Sequence, residues 1–270
     1  MKKQYRRALT IAGSDPSGGA GIQADLKTFS ACGCFGCSAI VAVVDENTVG
    51  VTGVHPVPTE FVTGQIRSVL DDIGADAIKI GMLHSSELIR AVRQTLGRYD
   101  VRNIVLDPVM VATSGDRLLQ EEAIATLRSE LIPFVRVITP NIPEAEILLG
   151  RTIERQEELP ELARELSCGG RVSVLLKAGH LHEQELIDVF YNAESGETLP
   201  LRSRRIDTPN THGTGCTLSS AVAAFLARGL RLDQAVIAAK EYIDTAIMAG
   251  AAYEIGHGRG PVHHFFNFWE

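Results

Sequence analysis

Ala8-Leu-Thr-Ile-Ala-Gly-Ser-Asp-Pro-Ser-Gly-Gly-Ala-Gly-Ile-Gln-Ala-Asp-Leu-Lys-Thr-Phe-Ser-Ala31 reads as one structural unit. Ala8–Ala12 is an apolar run of strand length, Gly13 to Gly21 is a glycine-rich connection, and Gly21–Ala31 is a helical segment. The alternation recurs along the chain. Further strands are expected at Ala39–Val44, Ala77–Ile80, Asn103–Leu106, Val135–Thr139 and Val172–Lys177. Helices are expected at Pro58–Asp71, Ser86–Tyr99, Gln120–Leu131, Pro143–Leu149 and Leu159–Cys168. Strand, helix and strand in succession implies parallel pairing with right-handed crossovers. The expected fold is therefore a three-layer α/β/α sandwich on a mostly parallel central sheet. Ile187–Tyr191 and Leu199–Arg205, joined across Ser195-Gly196, read as an antiparallel hairpin at one edge. No linker, repeat or low-complexity segment interrupts residues 1–270, so a single domain is expected.

Bulk properties narrow the function. The chain is 45% hydrophobic and 22% charged, as in ordinary soluble enzymes. A net charge of −7 argues against nucleic acid or an anionic membrane as partner. No apolar run reaches the roughly 18 residues needed to span a bilayer. The basic start, Met1-Lys-Lys-Gln-Tyr-Arg-Arg7, lacks a signal peptide's apolar core. Five cysteines without framework spacing fit reduced thiols, and a cytoplasmic location is expected. Cys34 and Cys37 form a lone CxxC, either a dithiol or two small core residues beside glycines.

Ligands of such sheets bind at the carboxyl ends of the strands. Four polar loops gather there: Ala12–Gly21, Asp107-Pro-Val-Met110, Thr139-Pro-Asn-Ile-Pro-Glu144 and Lys177-Ala-Gly-His180. The first is neither a P-loop, since Gly19 and Ala20 stand where Lys and Ser/Thr are needed, nor a GxGxxG fingerprint. It brings backbone close to a small substrate. Asp25, in the following helix, either faces that pocket or is an exposed first-turn acid. Asp107, Asn141 and Glu144 are hard oxygen donors suited to Mg²⁺ through water. Asn141 also reads as a helix N-cap with Pro143 and Glu144 in the first turn. Lys177 ends an apolar strand, where its partner is a phosphate or a neighbouring carboxylate.

Thr208-Pro-Asn-Thr-His-Gly-Thr-Gly-Cys-Thr217 runs into an apolar helix with Leu218, Val222, Phe225 and Leu226 on one face and Gly229 at the C-cap. A glycine turn opening a helix aims several N–H groups at one spot, and the helix dipole favours negative charge there. The turn is an anion hole beside a reactive Cys216, or a tight turn with an inert thiol. In the first reading the helix terminus makes the thiol easier to ionise.

These stretches, together with Lys79-Ile-Gly-Met82 and Gly258-Arg-Gly-Pro-Val-His-His264, resemble the hydroxymethylpyrimidine/phosphomethylpyrimidine kinases of thiamin biosynthesis, which are ribokinase-like. The resemblance covers essentially the whole chain. It implies ATP- and Mg²⁺-dependent phosphorylation of the pyrimidine alcohol and of its monophosphate, by a homodimer. It implies that Gly213, Thr214, Gly215 and Cys216 form the anion hole and base, with Lys177 on the transferring phosphate. Gly13, Ala20, Asp25, Val44, Glu46 and Val109 would line the substrate pocket. Asn141, Glu144 and Lys177 would bind ATP, and Asp107 and Glu144 would hold Mg²⁺ through water. The His263-His264 pair, which alone could suggest a metal site, falls within the family's tail.

One residue departs from the resemblance. The family reads Ala-Gln-Asn-Thr where this chain has Val44-Asp-Glu-Asn-Thr48. Glutamine offers a donor and an acceptor to an aminopyrimidine; a carboxylate offers acceptors only. Glu46 therefore needs a proton on itself, a proton on the ring, or a ligand with two donors. A kinase of pyridoxal-type vitamers or another amino-heterocycle is the alternative this residue raises.

Overall fold

The computed structural model describes residues 3–110 and 119–269. Eight strands form one sheet: β1 (Arg7–Ala12), β2 (Phe35–Ile40), β5 (Ala77–Ile80), β6 (Ile104–Leu106), β7 (Val137–Ile138), β8 (Ser173–Leu176), β9 (Glu185–Asn192) and β10 (Glu197–Arg204). Their order is β10-β9-β8-β7-β6-β5-β1-β2. Strands β1, β2 and β5 to β8 pair in parallel, and β9 runs antiparallel to both β8 and β10. This is the expected mostly parallel sheet with an antiparallel edge hairpin.

Alternation along the strands builds a core on each face of the sheet. Leu9, Ile11, Ile78, Ile80 and Leu106 point to one face. There they pack with α2 (Thr59–Asp72), α3 (Ser86–Leu96), α4 (Glu121–Thr126), α5 (Ile142–Leu149) and α6 (Leu159–Leu166). Ala8, Ala77, Val105, Val137 and Leu175 point to the other, under α1 (Gly21–Ala31), α7 (Thr214–Ala227) and α8 (Leu232–Gly250). Small residues on the second face let α7 lie close over the centre of the sheet. Helix α7 is apolar nearly all round, with Leu218, Ala221, Val222, Ala223, Ala224 and Leu226 all buried.

Four points differ from expectation. Ala39–Val44 is not one strand: the chain leaves the main sheet after Ile40 and begins β3 (Ala42–Asn47), which pairs only with β4 (Gly50–Pro56). Strand β4 has no counterpart in the sequence reading, because its valines face solvent rather than a core. Helix α8 was likewise not foreseen. The helix expected over Gln120–Leu131 is α-helical only to Thr126 and continues as a π turn over Leu127–Leu131. Pro133 just beyond offers no N–H to continue regular pairing.

Candidate active site

The glycine loop after β1 is organised by Asp15, a buried residue that sequence reasoning did not select. Its carboxylate accepts from Ser17 N–H (2.8 Å), Ser17 Oγ (2.9 Å), Gly19 N–H (3.1 Å) and Ala20 N–H (2.7 Å). His212 Nε2 lies 2.9 Å from it. Burial alone would raise the Asp15 pKa. The bonds from His212, Ser17 and Ala20 outweigh burial and hold the carboxyl well below the usual range. The sequence signal was available: an Asp two residues before Ser-Gly-Gly is an Asx-turn pattern. Gly19 packs so tightly that a Cβ there would sit 2.4 Å from His212 Cδ2.

The second glycine turn docks on the first. Gly213, the N-cap of α7, has φ +76, and a Cβ there would lie 1.8 Å from Gly19 O. Only glycine fits. Thr214, Gly215 and Cys216 follow in the first helical turn. Among the described residues, the Gly215 and Cys216 amides meet no carbonyl, as the start of a helix leaves them. Gly215 sits over an ion pair: its Cβ would be 3.3 Å from Lys177 Nζ and 3.5 Å from Asp107 Oδ2.

Lys177 follows β8, where pairing continues past the sheet as a bridge to Asn141. Its Nζ is 3.3 Å from Asp107 Oδ1. Burial works against the ammonium, but Asp107 and Glu144 outweigh it and raise its pKa. Asp107 also accepts from Thr139 Oγ1 (3.0 Å) and Ser219 Oγ (3.3 Å). Asn141 and Glu144 form a reciprocal capping box on α5, 2.9 Å in each direction. Burial raises the Glu144 pKa to about 7, with Asp107 adding to it and Lys177 opposing. The carboxylates of Asp107 and Glu144 are thus close enough to repel, and each is partly engaged by protein donors. That arrangement fits a divalent cation held through water.

Cys216 is half-buried and differs from expectation. Burial raises its thiol pKa to about 11, with Lys79 the first opposing cation. The backbone N–H of Gly21 also works against the rise. Asp25 is neither a pocket acid nor an exposed one. It is fully buried, accepting both Lys79 Nζ contacts (2.9 Å) with Thr10 Oγ1 and Ser220 Oγ at 2.6 Å each. This pair lies beneath the Cys216 turn and sets its charge environment. The strand run that gave Lys79 disguised it, since an apolar β5 offers no sign of a buried cation.

Glu46 comes from the separate β3–β4 hairpin, at an irregular register between Asp45 and Glu46. Two bonds tie the hairpin to the first loop: Ser14 N–H to Ala42 O (2.9 Å) and Val44 N–H to Ser14 Oγ (3.0 Å). A Cβ on Gly13 would meet Val44 Cγ2 at 3.9 Å and Met82 Cε at 3.5 Å. Glu46 Oε1 approaches His212 Nε2 at 3.9 Å. Val109 stands two residues beyond Asp107, its N–H donating to Asp107 O at 2.8 Å.

The hairpin tip is clasped by the C-terminal tail. Thr48 Oγ1 accepts from His257 N–H and Gly258 N–H, both 3.2 Å, and Thr48 O accepts from Arg259 N–H at 2.9 Å. A Cβ on Gly258 would lie 1.9 Å from Thr48 O. His212 N–H in turn donates to Gly260 O at 3.0 Å. His263 and His264 do not face each other's metal. His264 Nε2 bonds Thr217 Oγ1 at 3.0 Å, and burial pushes its pKa down to about 3. His263 packs on the rings of Tyr253 and Trp269.

Comparison with known proteins decides the family. The phosphomethylpyrimidine kinase family matches residues 15–263. The chain is 50% identical over 264 residues to the hydroxymethylpyrimidine/phosphomethylpyrimidine kinase of Rhizobium meliloti, covering 97% of this chain and 98% of that one. It belongs to the phosphomethylpyrimidine kinase family. The Escherichia coli hydroxymethylpyrimidine/phosphomethylpyrimidine kinase is 49% identical over 263 residues, 97% of this chain and 98% of that one. Among solved structures, an ADP complex of Bacillus subtilis pyridoxal kinase superposes with a TM-score of 0.89 at 39% identity, over 97% and 98% of the two chains. For this phosphomethylpyrimidine kinase family member, the comparisons support the small-molecule kinase reading and the ribokinase-like fold.

Proposed function

We propose that this chain transfers the γ-phosphoryl group of ATP to 4-amino-5-hydroxymethyl-2-methylpyrimidine, to its monophosphate, or to both, as one catalytic domain acting in thiamin biosynthesis. The observation that carries the reading is the convergence of the Gly213–Cys216 turn on Lys177 and Asp107, with Glu46 approaching His212 just before that turn. Free amides and a cation are what a transferring phosphoryl group requires, since its catalysis is mostly positioning and charge stabilisation. Cys216, as thiolate, accepts the alcohol proton while the substrate oxygen bonds to phosphorus and the bond to ADP breaks. When the acceptor is itself a phosphate, it is already ionised and needs no base; the neutral thiol then avoids repelling it.

Asp107 and Glu144 would hold Mg²⁺ through water, and the ion would neutralise phosphate charge. Asn141 and Lys177 would bind the nucleotide. We place the protein in the cytoplasm, in keeping with five free thiols, three of them buried; burial raises the Cys34 pKa to about 11 and that of Cys37 in the same direction. No described helix is long and apolar enough to cross a membrane. A homodimer is part of the reading: Val43, Val49, Val51 and Val54 are exposed apolar side chains on the hairpin.

A pyridoxal-type vitamer is the second reading, favoured by Glu46 and by the fold match to pyridoxal kinase. The names of the curated relatives favour the pyrimidine. A coupled ADP-release assay separates them. The pyrimidine alcohol or its monophosphate is expected to give the highest kcat/KM in a panel of heterocyclic alcohols. A higher value with pyridoxal would reverse the order, and no turnover with any member would remove the kinase reading.

A further inference from the structure

Glu46 is a mostly buried carboxylate that, among the described residues, accepts no hydrogen bond. Among the described residues, the charged donor that approaches it is His212, and that donor is committed elsewhere. His212 Nε2 is 2.9 Å from Asp15 Oδ2 but 3.9 Å from Glu46 Oε1. Nε2 carries a single proton, and Asp15 is the shorter and more anionic acceptor. The charged groups facing Glu46 are therefore Asp15 from the loop after β1 and His212 from the loop before α7, a pair that largely satisfies itself. Asp45 on the same hairpin is exposed, and the β4 positions paired with Asp45 and Glu46 are Gly53 and Val51, which are uncharged.

We infer that Glu46 binds the aminopyrimidine together with one extra proton, held between its carboxylate and the ring nitrogen adjacent to the exocyclic amine. The inference deepens the proposed function and rests on it. An aminopyrimidine shows one donor, the amine, next to one acceptor, the ring nitrogen. A carboxylate facing that edge satisfies the amine and opposes its second lone pair to the ring's own. One proton resolves the clash. Placed on the carboxyl, it makes Glu46 a donor-acceptor pair like an amide; placed on the ring, it gives the carboxylate two donors in a bidentate contact. The two forms have the same composition, so both bind one proton more than a complex with glutamine would. Burial and the Asp15 charge favour protonation of Glu46, with His212 opposing, in the same direction.

The sign follows from linkage. If the complex holds a proton that the free partners have released, affinity falls as pH rises, approaching about tenfold per unit. Binding of the pyrimidine alcohol to the whole protein without ATP is measured by calorimetry from about pH 6 to about pH 9, in buffers of different ionisation enthalpy. The parent is expected to take up close to one proton per ligand and to lose affinity with rising pH. Glu46→Gln is expected to take up almost none and to show a flat profile. His212→Gln keeps a donor for Asp15 but cannot titrate, and uptake should survive in it. A flat parent profile, uptake unchanged in Glu46→Gln, or uptake lost in His212→Gln would each overturn the inference while leaving the kinase reading intact. No pyrimidine binding at any pH would overturn both.

Discussion

Cys216 illustrates how far one residue's environment can depart from what its position suggests. The start of a helix favours a thiolate, yet burial over the Asp25–Lys79 pair dominates and the thiol pKa rises to about 11. A base with so high a pKa is mostly protonated at neutral pH, so its active fraction grows as pH rises towards that value. Turnover on the pyrimidine alcohol should therefore increase with pH across the neutral range, whereas turnover on the monophosphate should not follow it. Cys216→Ser should slow the alcohol reaction by roughly 10²–10⁴-fold, the usual contribution of a positioned base, with ATP affinity preserved. Steady-state rates on both acceptors check this; an alcohol rate within about twofold of the parent would exclude Cys216 as base. The glycines of the turn were legible in the sequence because φ and close approach leave a compositional trace. The pKa was not, since it depends on Lys79 and Asp25, which reach the site from other elements.

The β3–β4 hairpin is the element that sequence periodicity missed. Valines at Val43, Val49, Val51 and Val54 are exposed, so no buried face stamped an alternating pattern on β4. The central parallel strands β5, β6, β7 and β8 were legible for the opposite reason: they are buried on both faces and read as short apolar runs, whereas the partly exposed edge strand β2 was not. Because the hairpin has little core of its own, its position depends on the Ser14 bonds at its base and the Thr48 clasp at its tip. Thr48→Val keeps the shape but removes the oxygen that accepts from His257 and Gly258. Two amides lose their partner at about 1 kcal/mol or more. KM for the pyrimidine should rise about fivefold to tenfold, KM for ATP should hold, and Thr48→Ser should recover the parent values. Parallel measurement of both KM values decides; equal changes in the two would place Thr48 in general stability instead.

At the scale of the whole molecule, one face of the sheet is fastened to its covering helices through a charged pair at the centre. Asp25 and Lys79 are completely buried, and α1, β5 and α7 meet on them through Thr10 and Ser220. Lys79→Met leaves a buried carboxylate without its cation and should cost about 3–5 kcal/mol, read as a lowered denaturant midpoint. Removing both charges in Lys79→Met/Asp25→Leu should recover much of that loss; a double variant as weak as the single one would show that Asp25 matters beyond charge pairing. Periodicity made the layers legible but could not reveal this pair, whose members are 54 residues apart, nor the contacts around the site that join positions 195 apart for Asp25 and Ser220 and 197 apart for Asp15 and His212. That separation bears on how the protein is born. Translation delivers the glycine loop, the hairpin and most of the sheet well before residues 208–264 leave the ribosome. A growing polypeptide therefore carries a half-built pocket with no anion hole, no Cys216 and no clasp on Thr48. The ability to split ATP arrives in one late step, when the last part of the chain closes over the first.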